Sequence, residues 1–66
     1  MMISLNGGTA DSRGAKTIAE LVERYELSPQ TTLIEHNGLA LHRREWPGVI
    51  LTEGDRVEVL SVVAGG

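Results

Sequence analysis

Sixty-six residues with a net charge of −3 make one small domain, with no room for a deep catalytic pocket and the shell needed to support it. Cysteine is absent, which excludes disulfides, thiolate metal sites and a side-chain thiol nucleophile. An acidic balance with one Trp, one Tyr and no Phe argues against nucleic-acid binding, and the apolar runs are far too short to span a membrane.

Residues 2–6 read as a strand with Ile3 and Leu5 on one face. The opening Met1-Met2-Ile3-Ser4 has neither the basic region nor the apolar run of a secretion signal, so the expected location is the cytoplasm. Asn6-Gly7-Gly8 supplies the residues that tolerate positive φ in a tight hairpin. Residues 9–13 would return as a weak edge strand, with burial only at Thr9 and Ala10 and with Asp11 and Arg13 discouraging further pairing. Thr17 and Glu20 form a capping box, in which Thr accepts an early backbone N–H and Glu reaches back. Ile18, Leu21, Val22 and Tyr25 then draw one apolar helix face, Leu27 closes the last turn, and Ser28-Pro29 ends the segment.

Asn37-Gly38 between the apolar runs 33–36 and 39–42 is a strong hairpin signal. Residues 43–48 read as irregular and hold the only Trp; Trp46 pinning that loop to the core is favoured over an interface anchor, and the sequence leaves both open. A short apolar piece at 49–51 and a turn at 52–55 with Gly54 lead into the last strand, 56–63. This order gives an α+β fold: a mixed four- to five-stranded sheet with one main helix on one face. Parallel pairing of the first and last strands at the centre would make it a ubiquitin-like β-grasp; a split β-α-β fold is the competitor that periodicity does not exclude. The domain is expected over residues 1–63, with 64–66 as a flexible tail.

Alternation along the last strand points Val57, Val59 and Val63 toward the helix, with Ile3, Leu5, Ile18, Leu21 and Val22. Leu60 and Val62 then face the other way, where one helix leaves the sheet uncovered, and are expected to form a partner-binding face. Either Leu39 or Leu41 should join them from the central hairpin. His36 and His42 fall near opposing hairpin positions but lack a third ligand, so no metal site is expected. No G-x-S-x-G element, P-loop or G-x-G-x-x-G cradle occurs. No catalytic residue and no bound cofactor are expected, and the chain is not read as an enzyme.

The informative chemistry is at Gly65-Gly66, which the strand-like run from Arg56 to Ala64 leads into. Terminal glycines pack poorly, yet a slim tail ending in a carboxylate can enter a slot where any Cβ would collide. A carboxylate is a poor acyl donor because its leaving group is oxide. Joined to AMP it becomes electrophilic, and a sulfur nucleophile can displace AMP to leave a thiocarboxylate. Gly66 is therefore the expected modified residue, with Ala64 and Gly65 as the part of the tail inserted into a partner.

The chain resembles the ThiS family, the ubiquitin-like sulfur carriers of thiamine (thiazole) biosynthesis. The resemblance rests on Ile3-Ser4-Leu5-Asn6-Gly7, Thr17-Ile18-Ala19-Glu20-Leu21-Val22, Asn37-Gly38, Arg43-Arg44-Glu45-Trp46, Glu53-Gly54-Asp55-Arg56-Val57-Glu58-Val59 and the Gly65-Gly66 end. It implies that Gly66 is adenylated by an ATP-using, ThiF-like enzyme and converted to a thiocarboxylate. The sulfur would come from cysteine through a desulfurase or rhodanese-type donor, and a ThiG-like thiazole synthase would receive it. The family often carries Pro before the Arg of Arg-x-x-Trp, where this chain has His42, and Pro47 after the Trp is less usual. Two alternatives remain at this level: a carrier feeding molybdopterin or cysteine synthesis, and a ubiquitin-like modifier or interaction module joined to lysines.

Overall fold

A computed structural model describes residues 1–62. Two hairpins and a final strand make one five-stranded sheet, in the order β2-β1-β5-β3-β4. The first hairpin joins β1 (Met2–Leu5) to β2 (Gly8–Asp11), and the second joins β3 (Thr32–His36) to β4 (Leu39–Leu41). Each turns on an Asn-Gly pair with both residues at positive φ, 50° and 83° at Asn6-Gly7 and 49° and 85° at Asn37-Gly38. That geometry matches the twist of the flanking strands. The last strand, β5 (Arg56–Ser61), lies at the centre, parallel to β1 and antiparallel to β3. Direct contact of the first and last strands is the β-grasp arrangement; a split β-α-β fold would insert a strand between them.

The helix α1 (Ile18–Arg24) starts where the capping pattern places it. Thr17 Oγ1 accepts from Glu20 N at 3.1 Å, and Glu20 Oε1 reaches back to Lys16 N at 2.8 Å, one residue beyond the cap. Ile18, Leu21 and Val22 are buried with Ile3, Ile34, Leu51 and Val57. Tyr25 ends the helix half-buried; its hydroxyl donates to Asp11 O at 2.6 Å, and the Arg13 guanidinium lies 4.0 Å from its ring centroid, so edge strand and helix are tied together. Leu27 N donates to Val22 O and Glu26 N to Glu23 O, a Schellman closure with Glu26 at φ 54°.

Two expectations change. Thr9 is exposed; the burial near β2 comes from Ala10, half-covered, and from Ser12 and Ala15, buried after the chain leaves the sheet edge. The segment Arg43–Gly48 is a 3-10 turn rather than irregular, closed by His42 N donating to Glu45 Oε1 at 2.8 Å. Trp46 is 4% exposed and belongs to the core, which settles its choice of roles. In the apolar piece 49–51 only Leu51 is buried, and Ile50 faces out. Val63 lies outside the described residues.

The centre of the sheet depends on side chains as well as main chain. β1 and β5 pair in register only at Ser4↔Arg56 and Leu5↔Val57, because β1 turns away at Asn6. The Asn6 side chain then continues the ladder: Val59 N donates to Asn6 Oδ1 at 2.7 Å and Asn6 Nδ2 donates to Val59 O at 3.2 Å. On the other side, Arg56 N donates to Asn37 Oδ1 and Asn37 N to Arg56 O, both at 2.8 Å.

The residue before β5 is the buried carboxylate Asp55. It accepts from Thr52 N at 2.9 Å, Thr52 Oγ1 at 2.8 Å and Asn37 Nδ2 at 3.2 Å, and pairs with His36 Nε2 at 2.8 Å. Burial alone would push this carboxyl up; the bonds from His36, Thr52 and Asn37 outweigh it and hold the group well below the ordinary value of 3.8.

Two outcomes follow. Asn6→Gly keeps the backbone freedom required at φ 50° and removes both bonds to Val59, so urea denaturation should show a loss of about 1–3 kcal/mol. For Asp55→Asn a loss of similar size is expected at pH 7, again about 1–3 kcal/mol, since an amide cannot accept from all of these donors. Because the folded carboxyl titrates lower than the unfolded one, its contribution is complete above 3.8 and is lost as pH falls below that value. The gap between wild type and Asp55→Asn should therefore narrow below about pH 4.

Candidate functional site

One helix covers one face of the sheet, and strand alternation decides what the other face shows. On β5, Val57 is buried and Val59 half-buried on the helix side. Leu60 is 60% exposed and Val62 40% exposed on the opposite side. Val62 is still anchored, its N–H donating to Thr31 O at 2.7 Å. Ala64, Gly65 and Gly66, the expected insertion tail and modified residue, lie outside the described residues.

The central hairpin contributes differently from expectation. The two-residue turn sets His36 opposite Leu39 and Ile34 opposite Leu41. Since Ile34 is buried under the helix, Leu41 and Leu39 share its side of the sheet; neither joins Leu60 on the open face. Leu41 is half-buried, whereas Leu39 sits uncovered near the turn. The residue β4 presents to the open face is Ala40, opposite Glu35. The apolar neighbour of Leu60 is Leu33, its direct partner across β3 and β5 and 54% exposed. Leu33 was legible in principle: in Thr32-Leu33-Ile34-Glu35 two adjacent apolar residues cannot both face the helix.

Together these residues line a shallow groove of about 360 Å³, to which Leu33, Leu60 and Ala40 contribute apolar surface and Glu35, Glu58 and Asn6 polar groups. Glu35 and Glu58 are directly opposite one another in the β3–β5 register. The groove offers apolar contact and negative charge but no nucleophile and no convergent set of proton-transfer groups.

The histidines do not form a pair across the hairpin, because register places Leu39, not His42, opposite His36. His36 is taken up by Asp55, and His42 begins the 3-10 turn. No group of three metal-ligating side chains occurs among the described residues. No helix among them is long and apolar enough to cross a membrane.

The same architecture is found in known proteins. A crystal structure of thiamine biosynthesis protein ThiS from Geobacter metallireducens superposes with a TM-score of 0.82 at 28% identity, covering all of both chains. A solution structure of a thiamine biosynthesis protein from the same organism gives a TM-score of 0.80 at 28% identity, over all of this chain and 88% of that one. A thiazole synthase from Magnetococcus marinus is 29% identical over the whole of this chain, which spans only 20% of that protein's length. A family model described as the ThiS family matches residues 3–66. A shared five-stranded fold and a family match over nearly every residue show that this chain belongs to the ThiS family of ubiquitin-like sulfur carriers.

Proposed function

We propose that this chain carries sulfur for thiazole formation in thiamine biosynthesis as a thiocarboxylate on Gly66, with Gly66 as its carboxyl terminus. The observation that carries the reading is the family match running through residue 66, so that Gly65-Gly66 lie inside the matched region. Residues 63–66 follow in sequence, one residue after the end of β5, and the strand end itself exposes apolar side chains at Leu60 and Val62. The protein acts as a cosubstrate, not as an enzyme. Its body supplies recognition, Leu60 and Val62 dock on the partner, and Ala64 and Gly65 thread the terminus into the partner's site.

The chemistry is supplied by the partners. A Gly66 carboxylate oxygen attacks the α-phosphorus of ATP held by a ThiF-like enzyme, and pyrophosphate leaves. The terminal sulfur of a persulfide, formed on a cysteine desulfurase or rhodanese-type donor, attacks the acyl carbon and AMP leaves. A thiol then cleaves the S–S bond, becoming oxidised to the disulfide, and the thiocarboxylate is released. A ThiG-like thiazole synthase is the recipient. That a protein named thiazole synthase contains a segment similar to this whole chain supports this choice of recipient.

Intact-mass spectrometry on carrier incubated with activating enzyme, ATP, sulfur donor and thiol tests the reading. Wild type should gain the mass difference of sulfur for oxygen at its end. Gly66→Ala should load at least about 100-fold more slowly, since a misplaced reacting atom costs that much, while its unfolding midpoint stays at the wild-type value. Thiazole formation by a variant lacking Gly66 would refute the assignment, and branched conjugates through lysine would identify a protein modifier instead.

A further inference from the structure

The open face carries an arrangement that costs the fold something. Glu35 and Glu58 sit directly opposite on neighbouring strands, where side-chain origins are about 5 Å apart and like charges destabilise the pair. Both are exposed, and neither takes part in an ion pair among the described residues. Arg56 shares their face two residues before Glu58, but its guanidinium lies against the Asn37-Gly38 turn. The third position of the row is Ala40, which leaves space beside Glu35. The Asn6 amide bordering the groove is already committed to Val59. Next to the two carboxylates lie the exposed side chains of Leu33 and Leu60.

We propose that this groove recognises a basic protein segment, with an Arg or Lys side chain of the activating enzyme placed between Glu35 and Glu58 and a neighbouring apolar side chain on Leu33 and Leu60. The inference rests on the carrier reading above and names what the docking face selects. A guanidinium presents several N–H donors in a plane and can bond two carboxylates at once. The incoming cation relieves the repulsion between the glutamates, so the pair is better satisfied bound than free. Apolar contact alone would hold any greasy surface; the carboxylates reject acidic surfaces, which gives the groove selectivity and faster encounter. Nucleic acid and anionic lipid are disfavoured by the same charges. A divalent ion would need more oxygen ligands than two side chains provide.

The test is the rate of adenylation by the activating enzyme as a function of carrier concentration and of sodium chloride. For the isosteric double variant Glu35→Gln/Glu58→Gln, KM for the carrier should rise about 10-fold with kcat retained. For Glu35→Lys/Glu58→Lys the rise should be at least about 100-fold. Wild-type KM should increase with salt, the dependence should flatten in the Gln variant, and that variant's unfolding midpoint should be no lower than wild type. A Gln variant with wild-type KM and wild-type salt dependence overturns the proposal, whatever the Lys variant does. Deletion of Gly66 in the same assay separates the two readings. If the deletion abolishes loading while the Gln variant behaves as wild type, only the acidic-pair inference fails; if the deleted chain still loads, the carrier reading fails with it.

Discussion

A strand at the centre of a sheet must have both edges satisfied, and β5 reaches that state with a full ladder to β3, a short one to β1 and two asparagine side chains that fill what the ladders leave open. β1 is too short to follow β5 beyond Val57, since its chain reverses at Asn6. Without a substitute, the N–H and C=O of Val59 would lose their partners on that side. The Asn6 amide presents one acceptor and one donor with the spacing of a peptide group, and takes both. Asn37 does related work at the start of β5, offering Oδ1 to Arg56 N and Nδ2 to Asp55. Each Asn thus answers two demands at one position. It tolerates the positive φ of its turn, and its side chain ties that turn to the strand between the hairpins. Glycine would meet the first demand alone.

This arrangement explains why the first hairpin, with only two register pairs to β5, stays joined to the sheet that β5 forms with β3. The first hairpin grips β5 at Val57 and Val59, the second along the antiparallel ladder from Val57 to Ser61 and again at Arg56, and Asp55 links the second hairpin to the loop at Thr52. Asp55 is held charged although buried, because four donors converge on it. Its partner His36 stands on the helix side of β3, so the contact also fixes how the β3–β4 hairpin sits beside the turn into β5. The strand fixed in this way is the one that leads to residues 63–66. The directional hydrogen bonds of the body therefore concentrate on the element that carries the proposed reactive end.

Much of this was legible in the sequence because it follows from short-range rules. The Asn-Gly pairs, the Thr17–Glu20 cap and the spacing of Ile18, Leu21 and Val22 each depend on neighbours within one or two turns of chain. The outward placement of Leu60 and Val62 followed from alternation once Val57 and Val59 faced in. What escaped needed register or long-range contact. Whether Leu39, Ala40 or Leu41 faces out is decided by the length of the turn at Asn37-Gly38 and by which side Ile34 takes. No local pattern shows that Asp55 meets His36, nineteen residues earlier. Ser12 and Ala15 are buried because the chain passes inward after the sheet edge, a path that polar composition does not reveal. The opposition of Glu35 and Glu58 emerges only when β3 is laid against β5.

A small sulfur carrier is under tight physical demands, and the two faces of the sheet divide them. The helix face holds nearly all the apolar burial available to so short a chain: Ile18 and Val57 are fully covered, and even the only Trp is spent there. The open face is thereby released from supporting the fold. It can keep exposed leucines and opposed carboxylates, features that a larger share of core residues would otherwise have to offset. Placing that face on β5 and β3, the strands most firmly cross-linked, keeps its geometry fixed. On the reading proposed above, recognition rests on the strand that immediately precedes the proposed reactive residues in sequence, so a partner that seats this face is also brought close along the chain to the residues that follow.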